Sequence, residues 1–326
     1  MLKIRHLVVF CALLLIAATS SPAIAQGYPT KTVRIVVPYT PGGPADLLAR
    51  GLAQKLSDAW GQPVIVDNRP GANEIIAAEL VAKAPPDGYT FLLASDAVFS
   101  LNTYLYSKLP YDAVKNFTPV SKLVLANLML VTRPDFPGKT VQDLVEHAKK
   151  SPGKLTYGSV GAGGVNHLAM SWLTTVKSLQ MEHIPYKGLV QALQDIAAGR
   201  VDTMYAVIGG ARPLIASGQI RGIAVSGMSR SPVLPDVPTF AEAGEPSLDA
   251  SFYFGLAAPS GTPKEAIQKF ASDAARIVKE PEFAEKYLVN LGFQAVGDTP
   301  EQFAEFLVTD RKHAAEKVKA SGAKLD

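Results

Sequence analysis

The amino-acid sequence predicts an α/β protein made of two units of similar size, each with a mostly parallel sheet flanked by helices. Three observations lead there. Short apolar strands alternate with stretches of helical periodicity along almost the whole chain, as strand–helix–strand units require. The alternation restarts near residue 140 after a complete first run. Hydrophobic residues fill 48% of the 326 positions and charged residues only 19%, which supplies sizeable cores and excludes a disordered chain.

The first 25 residues read as an export leader. Lys3, Arg5 and His6 open it, an apolar run covers 7–18, and Ala23-Ile24-Ala25 gives a small-x-small cleavage site after Ala25. The run falls short of the roughly 20 residues that span a bilayer. The one cysteine, Cys11, lies inside the run, whereas a lipid-anchored cysteine would follow it. A mature chain starting at Gln26 therefore has no cysteine. Losing Lys3 and Arg5 leaves 30 basic against 29 acidic residues with no basic stripe, which argues against nucleic acid as a partner. The expectation is a soluble periplasmic monomer. Outside the cytoplasm no ATP or nicotinamide pool is available, so hydrolysis, scaffolding and solute capture remain open.

The elements follow in order. Residues 33–37 form an apolar strand, and 44–57 a helix with Leu47, Leu48, Gly51, Leu52 and Leu56 on one face. Strands at 64–66 and 90–94 bracket a helix near 75–83. Thr140 with Asp143 opens the next helix. A strand at 155–157, a helix over 165–175 and a strand at 181–184 come next. A helix through Leu189, Leu193 and Ile196 ends at Gly199. Strands at 202–207 and 221–226, a proline-rich connection at 231–238, a strand near 252–256 and helices at 263–279 and 299–319 complete the chain. Connections near 120–132 and 248–258 are the expected crossings between units.

Two segments about 120 residues apart share one design. Strand 33–37 runs into Pro38-Tyr39-Thr40-Pro41-Gly42-Gly43 and a helix opening at Pro44. Strand 155–157 runs into Gly158-Ser159-Val160-Gly161-Ala162-Gly163-Gly164 and a helix opening near Val165. Glycines permit close approach and positive φ, and a helix N-terminus adds about half a positive charge. Two such turns facing one another would grip an anion through backbone N–H groups. Each turn alone also fits an ordinary β–α connection.

Other chemistry fails on spacing. Gly138-Lys139-Thr140 lacks the first glycine of a phosphate-binding loop, since Arg133 stands there. Gly161-Ala162-Gly163 lacks the third glycine of a dinucleotide turn, replaced by Asn166. A nucleophile elbow needs glycine where Tyr157 precedes Ser159. The five histidines (6, 147, 167, 183, 313) show no zinc spacing. His167 reads as a packing or capping residue and His183 as strand surface. No catalytic residue, metal or cofactor is expected.

A wider set of segments carries a resemblance. It comprises Ile35-Val36-Val37-Pro38-Tyr39-Thr40-Pro41-Gly42-Gly43-Pro44-Ala45-Asp46 with Arg50, Val66-Asp67-Asn68-Arg69-Pro70-Gly71-Ala72 and Pro86-Asp87-Gly88-Tyr89-Thr90. Further along stand Tyr157-Gly158-Ser159 with His167, Ile184-Pro185-Tyr186-Lys187-Gly188, Leu234-Pro235-Asp236-Val237-Pro238 and Ala258-Pro259-Ser260-Gly261-Thr262-Pro263. In this order the chain resembles the periplasmic solute-binding proteins of tripartite tricarboxylate transporters, often called Bug proteins. The resemblance implies a two-lobed, type II-like periplasmic binding fold with the ligand cleft between lobes. Lobe 1 is expected to hold 26–124 and 252–326, and lobe 2 to hold 125–251.

The resemblance also implies a small organic acid as ligand and membrane permease subunits as partners. It places ligand contacts at Tyr39, Thr40, Gly42, Gly43 and Asp46 in lobe 1, and at Ser159, Gly161, Ala162 and Gly163 in lobe 2. Asn73, Ser95 and Ala206 complete the expected set. Asp46 reads equally as a helix-start carboxylate, and Glu74 either faces the cleft or merely opens a helix. Asn73-Glu74-Ile75-Ile76 replaces the glycines usual after Pro-Gly-Ala, the hydroxyl residue often found before Asp46 is missing, and Ala206 stands where a polar group is common. The identity of the acid therefore does not transfer from relatives. A ligand-presenting sensor component and a secreted hydrolase are the alternative functions.

Overall fold

The computed structural model describes residues 27–227, 229–321 and 323–325. The leader and its cleavage site lie outside them. In chain order, β1 (Val33–Val37), α1 (Pro44–Trp60), β2 (Val64–Asn68), α2 (Ile75–Ala82) and β3 (Thr90–Ser95) come first. A helical segment over 97–105 leads to β4 (Phe117–Ala126), and one residue later β5 (Leu128–Thr132) begins. Then follow α3 (Val141–Lys150), β6 (Thr156–Ser159), α4 (Val165–Lys177), β7 (Glu182–Pro185) and α5 (Leu189–Ala197). Next come β8 (Thr203–Val207), α6 (Ile208–Ala216), β9 (Arg221–Val225) and β10 (Phe252–Pro259). The chain closes with α7 (Lys264–Lys279), α8 (Pro281–Tyr287), β11 (Phe293–Ala295) and α9 (Pro300–Ser321).

The strands form two sheets, ordered β11-β4-β10-β3-β1-β2 and β7-β6-β8-β5-β9. Both cores follow from the sequence pattern. The run Val33–Val37 is apolar apart from Arg34 because helices cover both faces, the condition under which strands lose their alternation. On α1 the buried stripe is Leu48, Leu52 and Leu56 with Ala45, Ala49 and Ala53, while Leu47 is 40% exposed and lies off the expected face. Thr140 and Asp143 form a reciprocal capping box that starts α3 as the sequence indicates.

The expectation of mostly parallel sheets holds for strand direction but not for pairing. Four of six strands in the first sheet and four of five in the second share a direction, yet five of the nine ladders are antiparallel. The sheets are mixed. The cause is the crossing segments, which are strands and not loops. β10 enters the first sheet reversed between β3 and β4, and β5 enters the second reversed between β8 and β9.

Helix α9 is fastened to the first sheet by Phe303, which is fully buried against Phe99 and Tyr253 at ring distances of 5.7 and 5.8 Å. Gly255 in β10 makes this possible, since a Cβ there would lie 2.4 Å from Phe303 Cζ. Asp310 adds a polar tie, accepting hydrogen bonds from Ser100 Oγ and Tyr253 Oη. Phe303→Ala should cost about 3–5 kcal/mol, read as a lower denaturant midpoint. Hydrogen exchange in the same variant should speed up in the first sheet and leave the second unchanged.

Candidate functional site

The site lies at the carboxyl ends of β1, β3 and β6, where open α/β sheets place ligands. In lobe 1 the turn 38–43 is shaped by Gly42, whose φ of 84° favours glycine, and Gly43 is the N-cap of α1. Asp46 is buried and braces this turn. Its carboxylate accepts from the Gly42 N–H at 2.9 Å, Arg50 Nε at 2.8 Å and Asn68 Nδ2 at 2.9 Å. Burial alone would raise the Asp46 carboxyl, but the hydrogen bonds from Arg50, Gly42 and Asn68 hold it below the usual range. Asn68 also donates to the Tyr39 carbonyl at 3.0 Å.

A second brace joins three strand ends. Glu74 is 6% exposed, and its carboxylate accepts from Tyr39 Oη, Ser95 Oγ and, at 3.0 Å, the Ser95 N–H. Burial pushes its carboxyl up against these hydrogen bonds, and burial together with Glu74 pushes the Tyr39 hydroxyl well above its usual range. The Tyr39 ring packs edge-on against Phe254. Glu74 thus does more than open a helix: its side chain turns inward and ties the cleft floor. The turn that presents it is strained, with φ of 46°, 49° and 72° at Ala72, Asn73 and Glu74. Consecutive left-handed non-glycine residues persist only where the surroundings hold them. Beside Ser95, burial and the neighbouring Asp310 push the Asp96 carboxyl well above its usual range.

Lobe 2 repeats the design with different chemistry. Gly161 and Gly163 take φ of 117° and 76°. Ser159 Oγ accepts from the Gly161 N–H at 3.2 Å and lies 2.7 Å from His183 Nε2. His167 Nδ1 accepts from the Gly163 N–H at 3.0 Å, so that nitrogen carries no proton. Tyr157, His183 and His167 form a stack with ring distances of 4.9 and 4.2 Å. Burial and the adjacent His183 lower His167 to about 4.

The twelve expected ligand residues therefore separate by role. Tyr39, Asp46, Ser95 and Ser159 are braces whose polar atoms bond within their own lobe. Gly42, Gly161 and Gly163 supply the backbone shape, with their N–H groups already accepted by those braces and by His167. Among the described residues the N–H groups of Gly43 and Ala162 have no hydrogen-bond partner. Thr40 and Ala162 are exposed. Asn73 reaches across, donating from Nδ2 to Asn102 Oδ1 at 2.7 Å and to the Gly163 carbonyl of the other lobe at 3.3 Å. Ala206 is fully buried in the core cluster with Met129 and Ala211 and offers no surface to a cleft. His183 and Arg50 are site-building residues outside the expected set. The signal for His183 was strand register, since it pairs with Tyr157 across β6 and β7. Among the described residues no group of three or more His, Cys, Asp or Glu could hold a metal, and no helix is long and apolar enough to cross a membrane.

The chain is similar to known proteins over most of its length. The sequence profile of the tripartite tricarboxylate transporter family receptor matches residues 48–322. The chain belongs to this receptor family. It is 32% identical to protein BugT of Bordetella pertussis, covering 98% of each chain. Among solved structures it is similar to the periplasmic binding protein BugD, with a TM-score of 0.83, 32% identity, and 91% of this chain and 99% of that one covered. It is also similar to R. palustris Rpa4515 with adipate, with a TM-score of 0.86, 33% identity, and 91% and 100% covered. MatC (Rpa3494) from Rhodopseudomonas palustris with bound malate gives 0.82 and 30%, with 89% and 100% covered. The chain is thus a periplasmic-type solute receptor by family, with a substrate-binding role.

His167 makes the second turn of this receptor acid-sensitive. Its folded-state value lies below the unfolded value of about 6.5, so the unfolded chain takes up the proton first. Stability should fall as pH drops from about 6.5 towards 4, where both states become protonated. Melting curves of the parent and His167→Gln, compared between pH 7 and 4, should diverge in this window, with the parent losing more. Parallel curves would mean that the Gly163–His167 bond does not depend on a neutral ring.

Proposed function

We propose that this receptor captures a small carboxylate-bearing solute in the periplasm and delivers it, chemically unchanged, to the permease of a tripartite transporter. One observation carries the reading: two glycine turns, each opening a helix, leave backbone N–H groups without a hydrogen-bond partner among the described residues, those of Gly43 and Ala162 included. Helix N-termini and free N–H groups suit an anion, and the bound adipate and malate of the related structures are carboxylates. The mature chain is taken to start at Gln26.

We take 26–124 with 252–326 as lobe 1 and 125–251 as lobe 2. The chain crosses between the two sheets close to these bounds, at Asn127 and at 249–251, where we place the hinge. Polar contacts gather there: Ser251 Oγ donates to Asn127 Oδ1 at 3.1 Å, and the Ala250 N–H donates to Ser226 Oγ at 2.9 Å. Closing the lobes brings both turns onto one anion, a population shift towards the state in which both donate.

Calorimetry with adipate and malate as first probes, then a wider organic-acid panel, tests the reading. Gly43→Val is the informative variant. A Cβ at Gly43 would meet only the Thr40 carbonyl at 3.6 Å, so the fold tolerates it while the anion does not. Affinity should fall about tenfold or more, since charge-assisted hydrogen bonds contribute about 1.5–3 kcal/mol each. Unchanged affinity would put the anion elsewhere.

The Glu74 brace gives a separate expectation. Glu74→Gln keeps the side-chain length but weakens the hydrogen bonds from Tyr39 and Ser95. It should lower the melting temperature and loosen binding of mono- and dicarboxylates alike. A gain confined to dicarboxylates would instead assign Glu74 to charge discrimination.

A further inference from the structure

Lobe 2 is held against lobe 1 by more than the ligand turns. Leu168, one turn into α4, is 8% exposed and belongs to a hydrophobic cluster with Leu101 and Leu105 of the 97–105 segment and Ala314 and Val318 of α9. All four of its neighbours there belong to the lobe-1 segments. The chain then continues past α9. Ala323 and Leu325 pack on the same cluster, and the Leu325 N–H donates to the Leu105 carbonyl at 2.8 Å. The Leu325 side chain lies directly over Gly163: a Cβ built there would be 2.0 Å from Leu325 Cδ1. Asn73 donates to the Gly163 carbonyl from the same side. These contacts join protein to protein, so they act whichever solute enters.

We propose that the C-terminal end of the chain, α9 with residues 323–325, is a latch that favours lobe closure. Rotation about Asn127 and 249–251 would draw Leu168 out of its socket and uncover Gly163. Burial of one leucine side chain corresponds to a factor of about ten or more in the closed-to-open ratio. The latch also reaches the second anion turn itself, because Leu325 and Asn73 both rest on Gly163. It is expected to slow release of a captured solute and, because the empty protein is also less often open, to slow entry as well. This inference rests on the two-lobed closure described above but not on the identity of the solute.

The test reads lobe separation in protein without added solute. In the cysteine-free chain starting at Gln26, spin labels go on Lys115→Cys and Lys150→Cys, one in each lobe, where the lysine side chains are 82% and 77% exposed. Electron–electron distance measurements compare the parent, a chain truncated after Ser321, Leu325→Asp and Leu168→Ala. Truncation and Leu325→Asp should each shift the distribution towards the open distance by several-fold in population, with melting temperature little changed. Leu168→Met, which keeps the volume, should stay closed even if Leu168→Ala proves unstable. Identical distributions for the parent and the truncated chain would overturn the latch. The carboxylate reading would stand or fall separately, by calorimetry.

Discussion

The constraint on which the cleft depends is that a glycine-rich turn must be rigid before it can hold an anion, although glycine itself supplies no rigidity. Both lobes meet this with the same backbone device. In α1 the third helical residue, Asp46, reaches back to the N–H of Gly42, the residue before the N-cap. In α4 the third helical residue, His167, reaches back to the N–H of Gly163, again the residue before the N-cap. Each brace consumes one donor to fix the direction of the next. Binding then costs little ordering of the turns, which is how preorganisation improves affinity.

The sheets explain how closure can be a motion of rigid bodies. Each crossing strand is inserted into the interior of the sheet it enters, paired on both sides. The link between β4 and β5 is the single residue Asn127. Little slack remains for the lobes to slide, so their relative motion reduces to rotation about short links. On the latch reading, packing against α9 and the tail sets where that rotation stops.

The sequence made most of this legible, and its failures have physical causes. The two turns and the helices they open stood out because glycine and helix-start chemistry are local signals. The expected connection near 120–132 proves to be the end of β4 and all of β5, and the structure accommodates Pro119 where the β4–β10 register shifts. α6 is absent from the sequence pattern, since Gly209, Gly210 and Pro213 are poor helix formers, although contact with Leu291 demands glycine at 209: a Cβ there would lie 2.6 Å from the Leu291 backbone. The roles of Asp46 and Ser95 could not be separated from ligand contact, since only three-dimensional pairing shows their oxygens occupied. Ala206 shows the converse limit. Its position was correct for a strand, but strand direction alone does not say which face meets the cleft.

The two braces differ in charge, and this gives the cleft its electrical asymmetry. Asp46 places a carboxylate one turn below the first anion turn, which would oppose an anion were it not paired with Arg50 at 2.8 Å. His167 is neutral, so the second turn keeps the full positive potential of the α4 N-terminus. Opposition near the first turn is lessened further by Asp96, whose burial favours its protonated form. Glu74 is the remaining acid, and all three of its hydrogen bonds point into lobe 1. The acids that look unfavourable for a carboxylate receptor in the sequence are therefore each neutralised or turned away. On the proposed reading, backbone N–H groups face the solute from both lobes, and these recognise a carboxylate without prescribing the rest of the molecule.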